Sequence, residues 1–548
     1  FKQKTAYEIS LGLVGSEMCI RDRGRSGHGI DRVSEGIIIA GNEDDIFESA
    51  VIARRALNGN LEPQNSHIYA LDVLAHQIIG ILLDKRDVTL NSIYSIVTRT
   101  FPYRKLAFQK FKEICDFLAR IGLIRIDGET LRRTRNGLLY YFNNLSTIPD
   151  VKKFIVINML TNQTIGVLDE SFVAVHCDVG STFVVKGEPW KIVSIENGRI
   201  FVEPSNDVEA AIPGWEGELI PVPFEVARDV GRLRRNIYEM LNHHTVETVV
   251  QKIQNEYPVD ENCAERMVRI IKDHTAEAPL PDDKTIVIEG LDEKIILHCC
   301  FGSKVNETLG RAISYWLQRK IGNVDFHVDP YRIVFSTTKS FIPLIEEALR
   351  SIPPERLETY VTLNLQNSNL FIGRCVQVAK RFGVIRKDAN YTKSTIRRII
   401  NEFIGTPLFE ETLREIKTDK LDLEKTKEIL KSIQDGSIKI KKVCKLTPLG
   451  RVGLEFLKFN MVYDGLKSIS ILDFFKRKIM ESEVRLVCLN CGKWSTVFKL
   501  NEMPEEVRCP VCSAKLLGIT HPKDYEVKKL VKKAKSHRLV NEHEIKKW

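Results

Sequence analysis

The 548-residue sequence has no apolar run of about 18 residues or more, the length a membrane-crossing helix needs, so a chain threaded through a bilayer by helices is excluded. It has no Gly-x-x-x-x-Gly-Lys-Ser/Thr phosphate loop, so that device for cradling a nucleotide triphosphate is absent. It has no internal repeat and no low-complexity tract, and its length suffices for several domains, each burying a core of its own. It also lacks a disulfide framework. Of 12 cysteines, four fall in pairs near the C-terminus and the others are scattered, which fits a reducing compartment and an expected cytoplasmic location.

What is there is ordinary in bulk, with 43% hydrophobic and 28% charged residues. The net charge of +9 permits a polyanionic partner without establishing one. Position says more. Gly24-Arg25-Ser26-Gly27-His28, followed by the apolar run Ile37-Ile38-Ile39, reads as a tight turn that presents a guanidinium at a strand edge within reach of a phosphate, with a solvated loop as the alternative.

Residues 66–148 read as a winged helix. Leu71, Leu74, Ile78, Ile79 and Leu82 mark one helix, Thr89 opens a second, and Phe108, Phe111, Ile114, Leu118 and Ile121 mark a third. Gly122 stops it, and strands over Leu123–Ile126 and Thr130–Thr134 flank an Asp127-Gly128 turn. Arg132, Arg133 and Arg135 fall on this wing, and Arg104, Lys105 and Lys112 at or on the preceding helix. They are the expected nucleic-acid contacts, with a solvated face as the alternative.

Residues 149–224 carry short strands, over Lys153–Met159, Thr164–Leu168, Phe172–Val175, Thr182–Val185, Trp190–Ile195 and Ile200–Val202, and predict a small β-barrel. Trp190 alternates into its core, whereas Trp215, between Pro213-Gly214 and Gly217, is expected on an exposed rim turn as a base-stacking or strand-separating residue, with burial between domains as the alternative. Asp169-Glu170 imitates the acid pair that holds magnesium in a helicase. Without a phosphate loop it has no nucleotide to serve.

Residues 225–283 are helical by spacing, with Arg228, Arg232, Arg234 and Arg235 near the start; Arg232 and Arg235 are further expected contacts. Residues 284–365 alternate strands and helices as an α/β domain, in which His298, Cys299 and Cys300 lack ligand spacing and are expected to be buried. Residues 366–482 read as a helical region. In residues 483–520, Cys488-Leu489-Asn490-Cys491 and Cys509-Pro510-Val511-Cys512 are two knuckles 17 residues apart, the spacing of a four-thiolate structural zinc site. Residues 521–548 read as a basic helical tail, and from Ile519 onward nine Lys/Arg against four Asp/Glu leave a local charge of +5, either a solvated face or one that tracks a phosphate backbone.

Residues 1–23 resemble a translated sequencing adapter, which implies that the natural protein starts upstream. Gly24–His28 resembles the last signature motif of superfamily 2 helicases, with two departures: His28 stands where most members carry arginine, and the upstream Gln-Arg pair is missing. With Asp44–Glu48, Gly59–Pro63, Leu71–Gly80, Ile165–Glu170, Ile212–Glu218, Cys299–Gly310, Asp329–Ile333, Arg381–Ile385, Gly405–Pro407 and Glu411–Glu415, the chain resembles the archaeal type of the large helicase-related (Lhr) family. The resemblance implies that residues 24–65 end a second RecA-like motor domain, with Gly24, Arg25, Gly27 and His28 at ATP and Arg25 the catalytic arginine finger. It implies the C-terminal accessory portion of an ATP- and magnesium-dependent helicase acting on single-stranded and duplex DNA or RNA. A multidomain α/β plus α+β architecture follows. The rival reading is a non-enzymatic nucleic-acid-binding module built from winged helix and zinc ribbon.

Overall fold

The computed structural model describes residues 36–62, 67–85, 87–146, 153–170, 172–173, 177–185, 188–196, 198–205, 221–291, 294–322, 324–336, 341–366, 368–386, 389, 393–454, 483–500, 503–504, 507–520 and 531. Helix α1 (Glu43–Leu57) comes first, its Asn42 side chain accepting from the Asp44 and Asp45 amides at 2.9 and 3.0 Å. Then follow α2 (Leu71–Asp84), β1 (Asp87–Thr89), α3 (Leu90–Thr98), α4 (Phe108–Arg120), β2 (Ile124–Asp127), β3 (Thr130–Arg133) and α5 (Arg135–Asn143). The strands pair in the order β1-β3-β2 beside the helices, which is a winged helix. Its punctuation is legible: Thr89 caps α3, Gly122 ends α4 at a φ of 77°, and Gly128 turns the hairpin at 58°.

The next strands are β4 (Lys153–Asn158), β5 (Thr164–Asp169), β6 (Thr182–Val185), β7 (Glu188–Glu196) and β8 (Arg199–Pro204). They form one sheet in the order β5-β4-β8-β7-β6, with Phe154, Val156, Phe183, Trp190, Ile192 and Ile200 in its core. Its two edge strands approach each other, since a Cβ on Gly166 in β5 would lie 2.9 Å from Val185 in β6. The described part of the strand expected over Phe172–Val175 is not a strand: Phe172 and Val173, like Glu170, are helical. Glu170 explains the change. Its buried carboxylate leaves the strand direction to pair with Lys380 more than 200 residues later.

Helices α6 (Phe224–Leu241), α7 (Val246–Glu256) and α8 (Glu261–Glu277) bundle with α1 around Phe47, Val51, Val230, Ile237, Ile253 and Met267. Strands β9 (Thr285–Leu291) and β10 (Lys294–His298), helix α9 (Ser303–Ile321), strands β11 (Asp325–Asp329) and β12 (Arg332–Ser336), and helices α10 (Ile342–Ser351), α11 (Leu357–Leu365), α12 (Asn369–Arg381), α13 (Lys393–Glu402), α14 (Pro407–Lys420) and α15 (Leu423–Gln434) follow. Strand β13 (Lys439–Val443) then runs parallel to β9 and completes a sheet in the order β11-β12-β10-β9-β13. The α/β unit therefore does not close at residue 365, and the stretch read as a mostly helical region contributes a strand to it. The Lys439-Ile440-Lys441 alternation carries that signal, because one face of an edge strand stays wet. Strands β14 (Glu483–Cys488), β15 (Ser495–Lys499) and β16 (Leu517–Thr520) make a separate three-stranded sheet.

Buried ion pairs hold these units together. Asp44 on α1 accepts from Arg234 of α6 at 2.8 Å and from Arg332 of β12, while Arg332 also donates to Asp329 at 2.8 Å and to the Leu449 carbonyl at 2.9 Å. Two guanidiniums face two carboxylates there, out of water. On the other side, Arg381 of α12 bridges Asp72 of α2 and Glu415 of α14, and the Tyr140 hydroxyl donates to the Arg381 carbonyl at 2.6 Å. Gly383 lets that contact form: at a φ of 73°, a Cβ there would lie 2.6 Å from the Tyr140 ring. Asp44→Ala should lower stability by about 3–5 kcal/mol, because it leaves two buried guanidiniums short of a counter-charge. A urea midpoint that scarcely moves would contradict this.

Glu48, one turn along α1, has no cation. It accepts from the Tyr331 hydroxyl at 2.8 Å, and burial, reinforced by Asp45, Asp44 and Asp329, pushes its carboxyl up to about 7 against that bond. A carboxyl whose pKa rises on folding binds its proton more tightly in the folded chain, so its contribution is present below 4.5 and lost as pH rises through about 7. Glu48→Gln should therefore flatten the decline in urea stability between those pH values; an unchanged slope would assign the decline elsewhere.

Candidate nucleic-acid interface and metal centre

The wing is fixed at its base. The Thr134 hydroxyl accepts from the Gly137 amide at 2.9 Å and lies 2.8 Å from the Leu123 carbonyl, and Gly137 is so close to that carbonyl that a Cβ would lie 2.2 Å away. The hairpin register sets Arg125 opposite Arg132, and Arg132 is shared between Asp87 and Asp127 at 3.3 and 3.4 Å. Arg133 and Arg135 are exposed beside them. At the turn before α4, Arg104 stacks its guanidinium 4.6 Å above the Phe101 ring and Lys105 is exposed.

Helix α4 itself is less cationic. Lys112 is exposed among Glu113 and Asp116, while Lys110 turns to Glu113 and to Glu410 of α14. Phe117 packs edge-on to Phe382 and Phe403, so one side of α4 is occupied by the later helices. The available positive charge thus sits on the wing and on the turn before α4.

The arginines of α6 divide. Arg234 is 1% exposed and belongs to the Asp44 network. Arg235 is held by both oxygens of Asp283, at 2.8 and 3.3 Å, and by Glu239. Arg228 donates to the Asp283 carbonyl. Arg232 alone of the four points mostly to solvent, at 58% side-chain exposure, in a 3.0 Å pair with Asp229. Neither periodicity nor composition separates them; the signal that does is a carboxylate elsewhere on an apolar helix face, such as Asp44 among Phe47, Ala50 and Val51.

The four cysteines converge. Cys488 and Cys512 sulfurs lie 3.6 Å apart, as do those of Cys491 and Cys509, and all four lie within 4.8 Å of one another. A zinc–thiolate bond of about 2.3 Å gives a tetrahedron with edges near that separation, whereas a disulfide needs about 2.05 Å. The two knuckles share one construction: Gly492 and Ser513 each adopt positive φ and donate back to the Cys488 and Cys509 carbonyls at 2.9 and 2.8 Å. Amides of Cys491, Lys493 and Val511 donate to cysteine sulfurs at 3.3 to 3.4 Å, which favours thiolates. The donor set fits a closed tetrahedral metal centre. Asp72, Glu411 and Glu415 also converge, but Arg381, Arg414 and Arg374 fill that site with guanidinium. His298, Cys299 and Cys300 are buried and no metal cluster involves them among the described residues; His298 bonds Glu289 at 2.8 Å.

Gly24, Arg25, Gly27, His28 and Trp215 lie outside the described residues, as does the basic tail apart from residue 531. No helix among the described residues is long and apolar enough to cross a membrane.

Two family profiles match the chain. One is described as the large helicase-related protein winged helix domain and spans 54–212; the other, DEAD/H associated, spans 280–450 and includes β13. An ATP-dependent helicase Lhr-Core protein 2 of Thermococcus barophilus is 30% identical over 453 residues, covering 76% of this chain and 51% of that protein. An ATP-dependent helicase Lhr-Core of Methanocaldococcus jannaschii is 26% identical over 487 residues, covering 84% and 55%. The chain spans about half the length of these relatives. Among solved structures, a Mycobacterium smegmatis helicase Lhr bound to ssDNA and AMP-PNP shares the fold with a TM-score of 0.60 at 18% identity, over 80% of this chain and 54% of that one.

Proposed function

The chain belongs to the large helicase-related (Lhr) family, and from that premise we propose that it is the accessory, strand-holding portion of an ATP-dependent helicase. The observation that carries the reading is the winged helix, whose wing is rigidly based while Arg104, Lys105, Lys112, Arg132, Arg133 and Arg135 stay accessible to a phosphate backbone. The names of its relatives support an ATP-dependent helicase as the whole protein, and the activity proposed for it is translocation on a single strand of DNA or RNA with unwinding of duplexes. In it, Gly24, Gly27 and His28 would shape a turn at ATP, and Arg25 would stabilise charge as the phosphoryl group departs, with magnesium held elsewhere in the motor. Trp215 is proposed to stack on a base, and the basic tail to follow the backbone.

Arginine fingers lower a barrier only where other groups already hold phosphates and metal in line. These 548 residues offer no phosphate loop for that task, so the chain should bind nucleic acid and release no phosphate from ATP. Affinity for a single strand should fall steeply with salt, and Arg133→Ala should lower the salt slope by about one. Strand-stimulated phosphate release, or binding indifferent to salt, would refute it.

We further propose that Cys488, Cys491, Cys509 and Cys512 hold one structural zinc ion. With four thiolates filling the coordination shell, no position remains for water or substrate, so the ion would fix the two knuckles and take no part in chemistry. Purified protein should contain one zinc per chain, and Cys509→Ser should lose it and destabilise the β14–β16 sheet. Full zinc content in that variant would sink the assignment.

A further inference from the structure

The C-terminal end of α1 faces α6 and the residue that ends α7 across a cavity of about 170 Å³, lined by Arg54, Arg55, Asn60, Asp229, Arg232 and Tyr257 among others. Three guanidiniums meet one carboxylate in this lining. Glu256, beside it, pairs with Arg54 at 2.8 Å, so the cluster keeps one positive charge in excess. Asp229 is shared, accepting from Arg55 at 2.7 Å and from Arg232 at 3.0 Å. The Arg55 Nε is shielded from solvent and has no partner.

Local structure fixes the rest of the wall. Arg54 lies 4.6 Å over the Tyr257 ring and donates to its hydroxyl at 2.9 Å. Gly59, at a φ of 68°, closes α1 with a turn in which the Gly59 amide donates to the Ala56 carbonyl and the Asn60 amide to the Arg55 carbonyl, at 3.1 and 2.9 Å. That turn returns Asn60 to the cavity and accounts for the Gly59-Asn60 pair that the sequence singles out.

A walled cavity rich in guanidinium donors, with an amide side chain and surplus positive charge, suits a compact anion that accepts hydrogen bonds on several sides. We propose that this cavity is a phosphate site, and that it seats one phosphodiester of a bound strand. The strand as source of the phosphate rests on the nucleic-acid reading above; a free nucleotide offers the same chemistry. The ligand would draw Arg232, the most exposed of the three arginines, away from Asp229.

Binding of a fluorescein-labelled oligo-dT to the full chain, titrated with salt, tests the assignment. Arg232→Ala should weaken binding roughly tenfold and lower the salt slope by about one. Arg269→Ala removes the same charge from an exposed position on α8 outside the cavity and should change neither. Asp229→Asn should tighten binding, because it removes the competing carboxylate, an effect that a damaged fold does not produce. Equal losses for the two arginine variants, or Asp229→Asn binding no more tightly than the parent, would overturn the assignment. AMP and inorganic phosphate, followed by calorimetry, separate the sources. If oligo-dT fails to bind while AMP binds the parent and not Arg232→Ala, the nucleic-acid reading fails and the phosphate site stands; if neither binds, both fail.

Discussion

A charge taken out of water must find its counter-charge, and that constraint assembles this molecule. Burying an ion costs several kcal/mol even after relaxation, and only a well-made pair offsets it. Asp44, Arg234 and Arg332 meet that condition only when α1, α6 and β12 come together, across intervals of 190 and 288 residues. Asp72, Arg381 and Glu415 set the same condition on α2, α12 and α14, and Glu170 with Lys380 ties the β4–β8 sheet to α12. Helix α12 carries successive cations, Lys380 toward the sheet and Arg381 toward the winged helix, so one turn of helix sets the relation between two units. Apolar packing alone would tolerate sliding by a fraction of a turn; paired charges do not.

The same constraint sorts the cations by role. A net charge of +9 treats every arginine alike, yet Arg234 and Arg332 are spent on buried carboxylates and contribute no attraction at the surface. Of the cations expected to touch nucleic acid, those that reach solvent lie on the wing, on the turn before α4, at Lys112 and at Arg232. The winged helix therefore leaves its wing and the approach to α4 open to solvent, while the flank of α4 that carries Lys110 and Phe117 is packed against α14 and its neighbours.

Much of this was legible in the sequence, for local reasons. Thr89, Gly122 and Gly128 delimit the winged helix because caps and positive φ angles are properties of single residues. The cysteine knuckles were legible because spacing alone brings two thiolates to one point. The partnerships of Asp44, Asp72 and Glu170 were not, since each depends on a residue hundreds of positions away. Their trace was the presence of a carboxylate where an apolar residue would otherwise face the core. The arginines of α6 are hard to sort for the same reason: a basic cluster in sequence reads as a surface until acids such as Asp283, which holds Arg235, are placed. Strand β13 was missed because it follows six helices, α10 to α15, and pairs back to β9, although its own alternation announces it.

Helix α1 is where these arguments meet. Its N-terminal turn contributes Asp44 to the buried network, its middle gives Phe47 and Val51 to the α6–α8 core, and its last turn supplies Arg54 and Arg55 to the cationic cavity. A rigid helix of 15 residues, fastened at three levels, cannot rotate without breaking a buried ion pair or opening the core. Helix α1 thus ties α6 and β12 into one unit. The wing is anchored through Thr134, the β1–β3 pairing and the buried Ile124 and Leu131, and the winged helix meets the later helices through Asp72 of α2 and Arg381. Two surfaces that present cations to solvent thus hang on separate ionic junctions, and a strand touching both would be held by elements that the fold positions independently.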